Sequence, residues 1–330
     1  MKKGPENRAI LFLNLGGPET QADVRPFLYR LFADPEIIRI PFAPLRKLVA
    51  WAISTSRAAG SRTMYQKIGG GSPIRRLTDQ QAEATRVSLA KKGLQTVTRT
   101  AFNCSDPLVE DVVEALAKDG VKNFLAFPLY PQYSFTTTKG ALERTRDAVR
   151  RFAPGAKLTE INFWPTHPLF LQAHAELIRS VTPTFPDPAD ERIHLVFSAH
   201  SIPEKLVTDL GDPYRAQMEQ SVRGVLEKSG WKGPWTLSWQ SKLGPIKWLG
   251  PSTEETVLKL GKEGVKQILV VPIAFVTDHI ETLFELDQEL AQEAKEAGVA
   301  EFRRTPGLNN HPTFIAALTD LAAQQRDFWD

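Results

Sequence analysis

Apolar runs that stop abruptly at polar, proline or glycine positions recur along the chain. Eight of them read as strands: 9–15, 96–102, 123–130 and 158–163, then 192–199, 235–240, 267–276 and 301–304. Between them the apolar positions recur at helical spacing, as in Leu108–Lys118, Leu169–Val181, Ser252–Lys259 and Thr313–Gln325. Strand and helix alternate throughout, which predicts an α/β protein with parallel sheets joined by right-handed crossovers.

The pattern also repeats. Asp119-Gly120-Val121-Lys122-Asn123-Phe124-Leu125-Ala126-Phe127-Pro128 parallels Glu263-Gly264-Val265-Lys266-Gln267-Ile268-Leu269-Val270-Val271-Pro272, 144 positions later. The same offset carries His167-Pro168 onto His311-Pro312, each at the start of a helical pattern. Two similar α/β halves follow. Prolines in Trp164-Pro165-Thr166-His167-Pro168 disfavour a continuing strand, so the first lobe is expected over 1–165 and the second over 166–307. The last helix, within 308–330, is expected to pack back on the first lobe. A cleft between the lobes is the natural place for a ligand.

At 330 residues the chain exceeds the usual size of a single core, in keeping with two domains. A net charge of +3 with no basic, aromatic-interleaved stripe argues against a dedicated nucleic-acid binder. The one cysteine, Cys104, permits no intrachain disulfide, zinc finger or all-cysteine iron–sulfur cluster. The longest apolar runs, Leu48–Ile53 and Ile268–Val276, are far short of the roughly 20 residues that cross a bilayer. Met1-Lys2-Lys3-Gly4-Pro5-Glu6 leads into a strand without the apolar core of a signal peptide, so a cytoplasmic protein is expected. Two glycine-rich segments lack nucleotide signatures: Leu15-Gly16-Gly17-Pro18 is not G-x-G-x-x-G, and Gly69-Gly70-Gly71-Ser72-Pro73 lacks the P-loop lysine. Their glycines imply close backbone approach, either to a ligand or between packed elements.

Candidate chemistry gathers at two strand ends. His200 closes the run Ile193–Ala199, and Ser201-Ile202-Pro203-Glu204 reads as the capped start of a helix. A histidine pinned there serves structure or catalysis, and the residues alone leave both open. The second strand end carries Asp278, His279 and Glu281. For a helix starting near Asp278, the carboxylates of Asp278, Glu281, Glu285 and Glu289 fall at i, i+3, i+7 and i+11, along one face. Either this is a solvated face with Asp278 as N-cap and Glu281 completing a capping box, or a cation offsets the repulsion. The neighbouring histidines favour the cation.

These segments belong to a longer series: Leu13-Asn14-Leu15-Gly16-Gly17-Pro18-Glu19-Thr20, Ile68-Gly69-Gly70-Gly71-Ser72-Pro73-Ile74, Tyr130-Pro131-Gln132-Tyr133-Ser134, and Phe197-Ser198-Ala199-His200-Ser201-Ile202-Pro203. Gly211-Asp212-Pro213-Tyr214, Trp239-Gln240-Ser241-Lys242-Leu243-Gly244-Pro245, Trp248-Leu249-Gly250-Pro251 and Asp278-His279-Ile280-Glu281-Thr282-Leu283 complete it. In this order, over nearly the whole chain, they resemble ferrochelatase. The resemblance implies two Rossmann-like domains around a porphyrin cleft and the insertion of Fe²⁺ into protoporphyrin IX to give protohaem. It implies His200 as the catalytic histidine, taking pyrrole protons or holding iron, with Glu281 as its acidic partner. Asp278, His279 and Glu285 would then line the iron route, with Leu15, Tyr130, Gln240, Ser241, Trp248 and Phe275 around the porphyrin and Arg57, Tyr65 and Ser72 near its propionates. Ferrous iron is a substrate in this reading, and no resident cofactor or iron–sulfur cluster is expected, since the cysteine-rich extension of animal relatives is missing. Many relatives carry Arg-Tyr where this chain has Asn103-Cys104, and Cys104 reads as a small, partly buried hydrophobe.

Alternatives are a coproporphyrin III ferrochelatase, a cobalt-inserting tetrapyrrole chelatase, and a non-catalytic two-lobed binding protein; the last predicts an export signal and needs no His–Glu pair. Monomer and homodimer both remain open. Residues 41–62 mix Phe42, Leu45, Leu48, Val49, Trp51 and Ile53 with Arg46, Lys47, Arg57 and Arg62. Such a segment suits either peripheral contact with the inner face of a membrane or a lid packed on its own domain.

Overall fold

A computed structural model describes residues 7–38, 40–242, 244 and 246–330. The amino-terminal hexapeptide, and Leu243 and Pro245 of the Trp239–Pro245 motif, lie outside the described residues. The chain divides into two compact units, Met1–Phe163 with Ile315–Asp330, and Trp164–Phe314.

The first unit is built on a parallel sheet of β1 (Arg8–Asn14), β2 (Val97–Phe102), β3 (Asn123–Pro128) and β4 (Lys157–Glu160), in the order β2-β1-β3-β4. The second has β5 (Ile193–His200), β6 (Trp235–Gln240), β7 (Gln267–Val271) and β8 (Glu301–Arg304), in the matching order β6-β5-β7-β8. Central β1 is apolar without alternation from Ala9 to Leu13 and fully buried there, as a parallel strand covered on both faces must be. One side of the first sheet closes around Leu11, Leu13, Val113, Phe124 and Leu142; the second unit gathers Val196, Val257, Ile268, Val270 and Leu286.

All eight predicted strands form, and the differences lie at their ends. The run 267–276 pairs only as far as Val271, because Pro272 offers no amide to the ladder and the chain turns, with Phe275 N bonding Pro272 O at 3.2 Å. Pro128 likewise ends β3. Helix Thr253–Lys262 starts with a true capping box, Ser252 and Glu255 each accepting from the other's amide. The box expected at Ser201 is absent. Pro203 delays the helix to Glu204–Thr208, the Ser201 hydroxyl donates to Leu249 O at 3.1 Å, and Glu204 pairs with Lys247 at 2.7 Å.

Each unit follows its third strand with a π-helix, Phe135–Lys139 in the first and Glu281–Leu290 in the second. The second replaces the α-helix expected from Asp278. It begins at Glu281, is wound for ten residues, and continues as the α-helix Ala291–Glu296.

The glycine-rich segments pack against each other. Ser72 N donates to Pro18 O at 2.6 Å, a Cβ on Gly71 would fall 1.9 Å from Glu19 O, and one on Gly17 would fall 2.8 Å from Ser72 Cβ. Among the described residues no helix is long and apolar enough to cross a membrane.

Candidate active site

Parallel pairing puts the carboxyl ends of β5 and β6 side by side, so that His200 stands opposite Gln240 in register. This edge is where open α/β sheets bind ligands. The Tyr214 hydroxyl donates to the His200 carbonyl at 3.0 Å and fixes the strand end from below. His200 keeps 41% of its side chain exposed, with Nδ1 2.9 Å from Glu281 Oε2. The other ring nitrogen, Nε2, stays available.

Glu281 is reached from three directions. Besides His200, the Ser241 hydroxyl donates to Oε2 at 2.8 Å, and His279 Nε2 lies 3.8 Å from Oε1. Ser241 Oγ also lies 3.2 Å from Glu285 Oε2, so one hydroxyl group bridges both carboxylates. It does so from a backbone φ of 66°, a conformation that L-residues rarely adopt and that often marks a functional position. Gln240 spans the same pair, donating to Glu281 O at 3.3 Å and Glu285 Oε2 at 3.4 Å, while its own oxygen accepts from Ser198 at 2.6 Å. Phe275 walls the group, its ring 4.5 Å from that of His279 and 6.4 Å from that of His200.

The electrostatics follow from this crowding. Burial opposes charge on Glu281, but His200 and then His279 outweigh it and hold the carboxyl well below its ordinary range. Burial likewise disfavours the His200 cation, and Glu281, with help from Glu285, reverses the balance and raises the imidazole. Glu285, buried beside a charged Glu281, is pushed up to about 7. The edge thus holds an imidazole whose proton affinity is raised by a carboxylate, next to a carboxyl that exchanges its proton near neutrality.

The acidic stripe does not act as one face. Glu281 and Glu285 converge on Ser241, Glu289 is exposed, and Asp278 is turned to another task. Its oxygens accept from Arg304 Nη1 at 2.9 Å, Asn309 Nδ2 at 2.7 Å, the Thr282 hydroxyl at 3.0 Å and Gly307 N at 3.3 Å. As a metal ligand Asp278 would have to give up these bonds. Glu281 caps nothing, since the helix start has no side-chain cap. His279 Nδ1 lies 3.0 Å from Thr277 O, which directs Nε2 toward Glu281. Among the described residues, no three or more His, Cys, Asp and Glu side chains are gathered as a ready-made metal site.

Trp248 sits in the loop after β6, tied by an isolated bridge to Pro203 just beyond His200. The other expected porphyrin contacts belong to the first unit. Leu15 follows β1 and its carbonyl accepts from Cys104 N at 3.0 Å; Tyr130 follows β3, its hydroxyl buried without a hydrogen-bond partner among the described residues. Arg57 and Tyr65 lie on helix Ala43–Lys67, Arg57 exposed with its guanidinium 5.9 Å from the Phe32 ring centroid and Tyr65 buried; Ser72 is buried against Gly17. Cys104 is buried, and burial pushes its thiol up to about 12, as for an inert core residue. Sequence reasoning missed Arg304, the second of two adjacent arginines at a strand end, with nothing in the sequence to set it apart. It also missed the roles of Tyr214 and Ser198, although both stand inside recognisable motifs.

The sequence profile of the Ferrochelatase family matches residues 7–326. A curated protein named Ferrochelatase from Synechococcus sp. (strain JA-2-3B'a(2-13)) is 48% identical over 315 residues, covering 94% of this chain and 91% of the relative. One from Gloeobacter violaceus (strain ATCC 29082 / PCC 7421), also named Ferrochelatase, is 42% identical over 318 residues and covers 96% of both chains. Among solved structures, SirB from Bacillus subtilis with Fe³⁺ superposes with a TM-score of 0.55 at 15% identity, covering 98% of this chain and 99% of SirB. The sirohydrochlorin chelatase SirB from Bacillus subtilis subspecies spizizenii, in complex with cobalt, gives 0.53 at 13% identity, covering 98% and 95%. At these identities the likeness concerns the fold, the two-sheet α/β architecture of chelatases.

Proposed function

The chain belongs to the ferrochelatase family, enzymes that insert ferrous iron into porphyrin in haem biosynthesis, and from that premise we propose that insertion takes place at the carboxyl edge of the second sheet. The two-lobed binding protein is set aside by the family. Protoporphyrin IX is our reading of the porphyrin, with coproporphyrin III as the competing substrate.

The observation that carries the assignment is the 2.9 Å contact between His200 Nδ1 and Glu281 at adjoining element ends. Metal insertion replaces two pyrrole N–H protons by one Fe²⁺. With Nδ1 committed to a carboxylate, Nε2 is the atom that meets the substrate, and Glu281 stabilises the imidazolium formed when Nε2 accepts a proton. Glu285, poised near neutrality and linked through Ser241, takes a proton onward or meets incoming iron. His279 Nε2 and the Glu281 and Glu285 oxygens are donors suited to a divalent first-row metal held only in passing. Iron enters as substrate, not as a resident cofactor.

Helix Ala43–Lys67 supports a further part of the reading. It packs against helix Val24–Ala33 and buries the small or polar positions Ala50, Ser54, Ala58, Ser61 and Tyr65, while Phe42, Leu45, Leu48 and Trp51 stand exposed at intervals of three. Bulky apolar residues outside and small ones inside reverse the usual order. We read this face as a peripheral contact with an anionic membrane, aided by exposed Lys47.

The deciding experiment follows the Soret band of purified protein given Fe²⁺ anaerobically with either porphyrin. Wild type converts protoporphyrin IX, and His200→Ala, still folded, is slower by at least about 10². Near wild-type turnover by the variant removes His200 from the mechanism, and conversion of coproporphyrin III alone replaces the substrate.

A further inference from the structure

The segment that carries Glu281 and Glu285 is held by a single guanidinium. Arg304, the last residue of β8, is 7% exposed and lies between two carboxylates. Nη1 is 2.9 Å from Asp278 Oδ1, and Nε and Nη2 are each 2.7 Å from an oxygen of Asp287. Nη1 also donates to Thr305 O at 2.9 Å. Asp278 stands three positions before Glu281 and Asp287 two after Glu285, so the ion pairs bracket both carboxylates of the site. The chain beyond β8 completes the grip: Asp278 N donates to Asn309 Oδ1 at 2.9 Å, and a Cβ on Gly307 would fall 2.9 Å from Asp278 N.

We propose that Arg304 is a positioning residue for metal insertion, fixing the winding of Glu281–Leu290 so that Glu281 and Glu285 converge on Ser241 and His200. The inference rests on the assignment of His200 and Glu281 made above. A π-helix, hydrogen-bonded i→i+5, usually survives for a single turn, and this one runs for ten residues. Rewinding it as an α-helix would rotate Glu285 relative to Glu281 and swing Asp287 away. A planar fork on Asp287 fixes the helix's rotation, and the second pair, on Asp278, fixes its start. Lysine, a point charge on a flexible stem, cannot hold both.

Arg304→Gln, Arg304→Lys and Asp287→Asn test this through two readouts: amide hydrogen exchange across 281–290, and kcat with KM for each substrate. Arg304→Gln is expected to lose exchange protection in that segment and to lower kcat by about 10- to 100-fold, with the porphyrin KM changed by less than about twofold. Arg304→Lys recovers part of both, and Arg304→Gln/Asp287→Asn is no worse than Arg304→Gln alone, as expected for one shared contact. Wild-type kcat in a folded Arg304→Gln overturns the proposal, with or without a change in exchange. Should Arg304→Gln fail to fold, Asp287→Asn decides alone, since it removes only the partly exposed arm of the clamp; unchanged protection and kcat there overturn the proposal. Exchange does not depend on turnover, so an active His200→Ala with an intact clamp locates the error in the site assignment instead.

Discussion

At the carboxyl edge of the second sheet His200 and Glu281 each favour the other's charged form, against a burial that alone would neutralise both. Glu281 is the centre of this dependence, touching His200, Ser241 and His279. Replacing it with the nearly isosteric glutamine keeps the hydrogen bonds and deletes the charge, so Glu281→Gln is expected to lower kcat by about 10² or more while porphyrin binding survives. Glu285→Gln should mainly raise the KM for Fe²⁺. Steady-state kinetics with each substrate varied in turn checks both, and wild-type constants in Glu281→Gln would reduce the acidic face to solvation. That His200 closes a strand was legible, since an apolar run ending in an ionisable residue predicts it. The diversion of Asp278 to Arg304 was not: Arg304 and Asn309, which draw it away, lie 26 and 31 positions on, beyond any local pattern.

Elements were easiest to read where burial on both faces left an uninterrupted apolar run, as in β1. They were hardest where winding mattered. Carboxylates at i and i+4 share a face in an α-helix and lie about one turn apart in a π-helix, so spacing alone could not choose for Glu281 and Glu285; tertiary contacts did. Helix Ala43–Lys67 shows the same limit, because its mixed composition fits a lid or a surface anchor equally, and the exposure of Leu48 at 61% and Trp51 at 52% is what speaks for the proposed anchor. Leu48→Glu/Trp51→Glu should therefore abolish co-flotation with anionic liposomes and leave turnover on detergent-dispersed porphyrin within about threefold. Equal flotation of variant and wild type would return the helix to the role of lid.

For the whole molecule the duplication is the plainest inheritance from the sequence, two parallel sheets with one strand order, each followed after its third strand by a π-helix. Stability carries a feature no pattern announced. His174 is 1% exposed, neither ring nitrogen has a hydrogen-bond partner among the described residues, and burial, with His311 adding to it, lowers its pKa from 6.5 to about 3. Below pH 6.5 the unfolded chain takes up a proton that the native state refuses until about 3. Unfolding free energy should consequently fall by about 1.4 kcal/mol per pH unit through that window from this residue alone. Urea titrations from pH 7 to 4 check it, with His174→Leu expected to flatten the slope by one proton and an unchanged slope counting against the assignment. The division of the chain bears on how the protein is made. Ile315–Asp330 belongs to the first unit, where Phe328 is buried and helix Arg326–Trp329 packs on β3 and β4. A ribosome working at roughly 5–20 residues per second delivers all of Trp164–Phe314 in the interval, on the order of ten seconds. The half made first is thus the half finished last: it waits with one flank of its sheet uncovered while the half made second can already close.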